Sequence, residues 1–255
     1  AKTEAARVAA AEAEAAAAAA SRGMAAKLAA NGAAAAAGSL EKLMLGSRLD
    51  SWKRELGADP ASAKGYPNQA SREVFGHWVE VEPSPLPRPY LIATSGPMAA
   101  ELGVEEGPRG VGSSAFLRIL SGNLSPLEPP DACRAWATPY AVSVAGQEIT
   151  APDPFGRGNG YGDGRALCLA EVETAAGGRW ELQLKGCGTT PFSRKHDGRS
   201  VLRSSVREFV ASEAMHAMRV PTTRALSLVA SESAYVDRAW YGDDDRGARD
   251  HQPEQ

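Results

Sequence analysis

Two charged side chains stand where glycine turns meet alternating stretches of sequence. Lys185 closes residues 180–185 (WELQLK), and Arg165 ends the turn Gly162-Asp163-Gly164-Arg165. A third turn, Asp197-Gly198-Arg199-Ser200, follows Lys185 and precedes a stretch carrying two acids, Glu208 and Glu213. An ammonium and a forked guanidinium can grip opposite ends of one polyphosphate, and turns that lack Cβ atoms let backbone amides come close to phosphate oxygens. The chemistry these residue types suggest is therefore the binding and transfer of a phosphorylated group. Singly, each has a plainer reading: GDGR as a β-turn with a charged rim, and Lys185 as a strand lysine reaching into water.

That chemistry requires elements that bring the turns together. Residues 166–172 and 180–185 read as two strands joined by a turn over 175–178, a β-hairpin. With the turn centred between Ala176 and Gly177, Lys185 falls opposite Cys168. The GDGR turn then lies about three residues further along, roughly 10 Å away at about 3.4 Å per residue. Trp180, Leu182 and Leu184 point to one face of the strand and Glu181, Gln183 and Lys185 to the other. Asp197 stands where it would cap a helix from about Arg199 to Met218, a helix that Pro221 forbids from continuing and whose first amides would favour an anion. On a wheel of about 100° per residue, Leu202, Val206, Phe209 and Val210 form an apolar arc that contains Glu213, with Glu208 about 120° from Leu202. An acid on an apolar face is costly unless paired, so the wheel favours Glu213 as the carboxylate needing a buried partner. A strand lysine held by a helix glutamate is also how protein kinases hold nucleotide phosphates, and both acids are candidates for Lys185.

The 255 residues carry a formal net charge of −3 with acids and bases interspersed, which argues against a nucleic-acid surface and makes any phosphate site local. Cys133, Cys168 and Cys187 form no C-x-x-C pair and have no histidine cluster nearby; they read as ordinary thiols in a reducing compartment. His77 reads as a strand-edge side chain and His216 as a surface one. Residues 1–38 are mostly alanine and read as a low-complexity leader outside the core, and Glu4, Glu12 and Glu14 speak against both a transit peptide and a membrane span. The chain begins at Ala1, as a processed chain or fragment would. One or two amphipathic helices are expected over 40–56, a strand over 77–82, a short strand at 90–93 followed by a helix, and a helix ended by Ser121-Gly122-Asn123.

The stretches "YGDGRALCLAEV" and "WELQLKGCGTTPFSRKHDGRSVLRSSVREFVASEAMHAMRVPTTRALSLV", with "PLPRPYL" and "LSGN" more loosely, resemble the selenoprotein O family of protein adenylyltransferases. The likeness is dense from Tyr161 to Val229, thinner back to about Trp78, and absent from the leader. It implies a protein-kinase-like fold in which ATP lies reversed, so that AMP rather than phosphate passes to Ser, Thr or Tyr hydroxyls of proteins. It implies nucleotide contacts at Gly162, Gly164, Arg165, Asp197 and Gly198, with Lys185 as the phosphate-binding lysine and Glu208 as its ion-pair partner. Nothing is carried over upstream of Gly162, where an AGHQFG stretch common in the family is replaced by "AGQEITAPDPFGRGNGYGDGR". The family's second arginine pair, catalytic aspartate and metal ligands belong to a C-terminal lobe expected beyond Gln255.

The resulting expectation is an α+β fold: a kinase-like N-terminal lobe with an antiparallel sheet and one long helix over residues 39–235, preceded by the alanine-rich leader and followed by a charged tail at 236–255. ATP and Mg2+ are the expected cofactors, with no metal ligand in this chain. Protein hydroxyls are the expected partners, with no nucleic acid and no membrane. By the family likeness, a mitochondrial or other organellar location is compatible. A conventional phosphotransferase using the same lysine, and a non-catalytic fragment or scaffold, are the alternatives.

Overall fold

Residues 166–185 fold as the alternation dictates. In the computed structural model, which describes residues 38–128, 133–138, 164–193, 197–239 and 249–253, β4 (Ala166–Glu173) and β5 (Arg179–Lys185) pair antiparallel across a tight turn. The leader through residue 37, together with Gly162 and Asp163, lies outside the described residues. The hairpin forms one side of a four-stranded sheet of order β1-β3-β4-β5, in which β1 is Val79–Glu80 and β3 is Trp136–Ala137. Interior position explains the composition of β4: Leu167, Leu169, Ala170 and Val172 are all buried, on both faces of the strand. β5, at the edge, keeps the expected alternation near its end, with Leu184 buried between exposed Gln183 and Lys185.

One face of the sheet packs on three short helices. These are α1 (Leu40–Gly46), α3 (Gly96–Leu102) and α4 (Ser114–Leu120), with α2 (Ser51–Glu55) between the first two. Each of the three begins at a serine whose hydroxyl accepts a backbone N–H of the first turn: Ser39 from Lys42, Ser95 from Met98 and Ser113 from Phe116. Leu40, Leu43, Met44, Met98, Leu102 and Phe116 thereby enter one core with Leu167 and Leu169. Trp78, Trp136 and Cys168 form a second cluster, over which Lys53 lies with its Nζ 5.2 Å from the Trp78 ring.

The long helix departs from expectation. It is α5, Leu202–Ala217, and its N-cap residue Val201 offers no side-chain cap. Asp197 lies outside the helix; its Oδ1 accepts the Arg199 amide at 2.9 Å and closes a turn of its own. The apolar arc is not sunk in the core either: no residue of α5 is buried, and Val210 is 58 % exposed. Arg219, at φ 63°, ends the helix before Pro221 is reached, with Val220 donating to the Met215 carbonyl.

Two pairings escaped the sequence reading. β2 (Pro89–Thr94) pairs with β6 (Ser227–Ser231), and β7 (Tyr235–Ala239) with β8 (Arg249–Pro253), both antiparallel. The last pair falls largely in the segment read as a charged tail. The architecture is α+β with antiparallel sheets, and among the described residues no helix is long and apolar enough to cross a membrane.

Candidate functional site

The register of the hairpin differs from expectation by two residues, and this moves the site. Lys185 pairs with Ala166 instead of Cys168. One residue of the difference comes from the turn, which centres on Ala176; the other comes from a bulge at Leu169, where Cys168 opposes Gln183 but Ala170 opposes Leu182. Arg165 consequently abuts the end of β5, its carbonyl accepting the Gly186 amide at 2.9 Å. The separation of about three residues expected between Lys185 and the glycine turn closes to direct adjacency.

The two acids of α5 take different partners. Glu208 meets Lys185, Nζ donating to Oε2 at 2.7 Å, and both side chains stay open to solvent at 39 % and 46 %. Glu213 accepts from Arg224 through Nε at 2.7 Å and Nη2 at 2.8 Å, from the Ser95 hydroxyl at 2.6 Å and from the Ala225 amide at 3.1 Å. Burial works to raise the Glu213 pKa, but these donors, Arg224 first, outweigh it and hold the carboxyl down at about 2. The wheel's preference for Glu213 over Glu208 as the acid for Lys185 is corrected by this arrangement. Glu213 is the acid with a buried cation, since the Arg224 side chain is only 6 % exposed, and Glu208 is the one on the lysine.

The glycine turns are joined by residues 186–193. A Cβ on Gly164 would overlap the Phe192 carbonyl oxygen, so the glycine is required by backbone packing against this loop. The Gly164 carbonyl accepts two buried hydroxyls, Thr190 Oγ1 at 3.1 Å and Ser193 Oγ at 2.6 Å. Gly198, at φ 71°, is pressed against the Gly188 carbonyl in the same way. Arg199 reaches back, donating from Nη1 to the Ser84 carbonyl at 2.9 Å, and the Ser84 amide donates to the Cys187 carbonyl at 2.8 Å. The structure thus gathers Gly164, Arg165, Lys185, Asp197, Gly198 and Glu208 around one stretch of backbone. Thr190 and Ser193 were missed in the sequence, although a proline between two hydroxyl residues (Thr190-Pro191-Phe192-Ser193) is a recognisable turn signal.

A cavity of about 540 Å³ lies between α5 and the sheet, with Lys185 and Glu208 in its lining and Leu182, Leu184, Phe209 and Leu226 among its apolar walls. The three cysteines are free and buried. Burial, and then the Glu181 carboxylate at 3.2 Å, push the Cys168 thiol well above its ordinary range. Among the described residues, no group of three or more His, Cys, Asp or Glu side chains is placed to hold a metal ion.

Fold and site together define an α+β unit that holds a strand lysine on a helix glutamate beside two glycine turns that each pack on residues 186–193. The chain belongs to the SelO family: the family model described as "Protein adenylyltransferase SelO" matches residues 64–246. It is 45 % identical over 192 residues to the "Protein nucleotidyltransferase YdiU" of Azoarcus sp. (strain BH72), covering 74 % of this chain and 33 % of that protein. It is 47 % identical over 171 residues to the protein of the same name from Xanthomonas euvesicatoria pv. vesicatoria (strain 85-10), covering 67 % and 30 %. The chain therefore spans about a third of the length of the curated relatives it matches.

Proposed function

We propose that this chain is the nucleotide-holding lobe, kinase-like in architecture, of an enzyme that transfers AMP from ATP to Ser, Thr or Tyr hydroxyls of proteins. The observation that carries the reading is the Lys185–Glu208 contact at 2.7 Å. Both side chains are more than a third exposed, and such a pair adds only about 0–1 kcal/mol to stability. The fold does not need it. A phosphate site does, because the pair holds an ammonium in a fixed position next to the turn that carries Arg165.

In this reading Lys185 and Arg165 hold the phosphates, and the Gly164 and Asp197-Gly198 turns border them. Gly162, two residues before Gly164 in the sequence, lies outside the described residues. Arg165 on the rim steadies the outer two phosphates as the leaving group. The substrate hydroxyl oxygen bonds to the α-phosphorus and releases its proton to solvent, the bond from that phosphorus to the bridging oxygen breaks, and pyrophosphate departs with the electron pair. Magnesium, when bound, supplies charge neutralisation on the phosphates. The described residues include no cluster to hold it.

The test is Lys185→Ala in the full-length protein. Loss of an electrostatic donor of this kind costs about 2–4 kcal/mol of transition-state stabilisation, roughly 30- to 1000-fold in turnover. The melting temperature should stay near that of the unmodified protein. Undiminished turnover in a folded variant would return Lys185 to the role of a surface lysine.

A further inference from the structure

We propose that Thr190 and Ser193 are positioning residues for the nucleotide's phosphates, acting through the Gly164–Arg165 peptide; the inference rests on the reading of Arg165 and Lys185 given above. The two hydroxyls are almost wholly buried, Thr190 at 0 % and Ser193 at 5 % exposure; they lie 3.4 Å from each other, and each makes two further hydrogen bonds. Thr190 Oγ1 accepts the Phe192 amide at 3.1 Å and donates to the Gly164 carbonyl. Ser193 Oγ accepts the Thr190 amide at 2.8 Å and donates to the same carbonyl. The loop that presents them is closed independently by the Ser193 amide on the Thr190 carbonyl at 3.1 Å, with Pro191 at the second position of the turn. A prefolded loop therefore offers two donors converging on one acceptor.

The acceptor matters because of its peptide. In a planar trans peptide the carbonyl and the following N–H point in opposite directions. Fixing the Gly164 carbonyl toward the loop fixes the Arg165 N–H away from it, on a residue that would otherwise have glycine's conformational latitude immediately before it. The next carbonyl, that of Arg165, is tied to Gly186, the neighbour of Lys185. Two consecutive peptides are thus pinned, one to the loop and one to the strand, and together they set the offset between the guanidinium and the ammonium. Without the hydroxyls the second tie remains and the first is lost, leaving Arg165 attached but not aimed.

The experiment is a double-mutant cycle on ATP affinity in the full-length protein, with Thr190→Val and Arg165→Ala. Valine keeps the shape of threonine and removes both the proton donated to Gly164 and the acceptor of the Phe192 amide, while the Ser193 amide still closes the loop on the Thr190 carbonyl. Thr190→Val is expected to weaken ATP binding about tenfold, equivalent to about 1.4 kcal/mol. Thr190→Ser, which keeps the hydroxyl, should restore it. In the Arg165→Ala background Thr190→Val should cost nothing further, because the group it aims is gone. Equal losses in both backgrounds, or unchanged affinity in Thr190→Val, would overturn the proposal. If Thr190→Val does not fold, Ser193→Ala takes its place in the cycle with the same outcomes. Lys185→Ala separates the two levels: if it leaves ATP affinity unchanged the site reading itself fails, whereas if it weakens ATP binding and Thr190→Val does not, only the clamp falls.

Discussion

Replacing Glu213 with glutamine removes one charge and almost no volume, and the structure sets the cost. Four donors converge on this carboxylate: two nitrogens of Arg224, the Ser95 hydroxyl and the Ala225 amide. The glutamine amide NH2 would face donors where an oxygen now accepts. The Arg224 side chain, 6 % exposed, would keep its charge without a counter-ion. Breaking a fully buried pair from one side costs about 3–5 kcal/mol; the 20 % exposure of the Glu213 side chain lets water compensate in part, which brings the expectation to about 2–3 kcal/mol. For a domain of this size that is a fall of roughly 5–10 °C in melting temperature at neutral pH. The pH dependence supplies an independent check. The folded-state pKa is depressed, to about 2, so the stabilisation is complete above the unfolded value near 4.3 and is lost as pH falls through the folded one. The gap in stability between the parent and Glu213→Gln, measured by thermal or denaturant unfolding, should therefore be full at pH 6 and shrink between about pH 5 and 2. Equal melting at neutral pH, or a gap that does not change in acid, would refute the reasoning.

Glu208→Gln should behave in the opposite sense. Turnover of the full-length protein should fall as it does in Lys185→Ala, while stability changes by no more than about 1 kcal/mol, because the pair is exposed; a large fall in melting temperature with intact turnover would contradict this. Gly198→Ala should destabilise by about 2 kcal/mol or more, combining left-handed strain with a clash against the Gly188 carbonyl, as read by chemical denaturation. Unchanged stability would mean that the stacked turns are not held as described.

The hairpin was legible in the sequence because its two runs alternate and a glycine pair separates them. Its register was not: the turn centres on Ala176, and a bulge at Leu169 leaves the pattern of apolar residues in β4 intact when both faces of that strand are buried. Periodicity and stop signals indicated the short helices without revealing their serine caps Ser39, Ser95 and Ser113, and capping logic misassigned Asp197, whose carboxylate serves its own turn instead of α5. β3 has two residues and therefore no period to detect, and β6 lies in a short apolar run whose partner, β2, is more than a hundred residues away. At the site, the wheel flagged Glu213 as the acid needing a buried partner, and Glu213 finds that partner in Arg224 and not in Lys185. The wheel had no means of finding the partner of Glu208, since that depends on where β5 ends relative to α5. The hydroxyls of Thr190 and Ser193 were invisible as a pair because their common acceptor is a carbonyl, and carbonyls leave no trace in a sequence.

The central claim is that the phosphates gripped beside Lys185 leave together and the α-phosphorus is the one transferred. It is tested most directly by giving the full-length protein ATP that carries isotope at either the α or the γ position and following the label into protein hydroxyls. The account expects transfer from the α position alone, suppressed by Arg165→Ala. Label arriving from the γ position would mean conventional phosphotransfer and would contradict it.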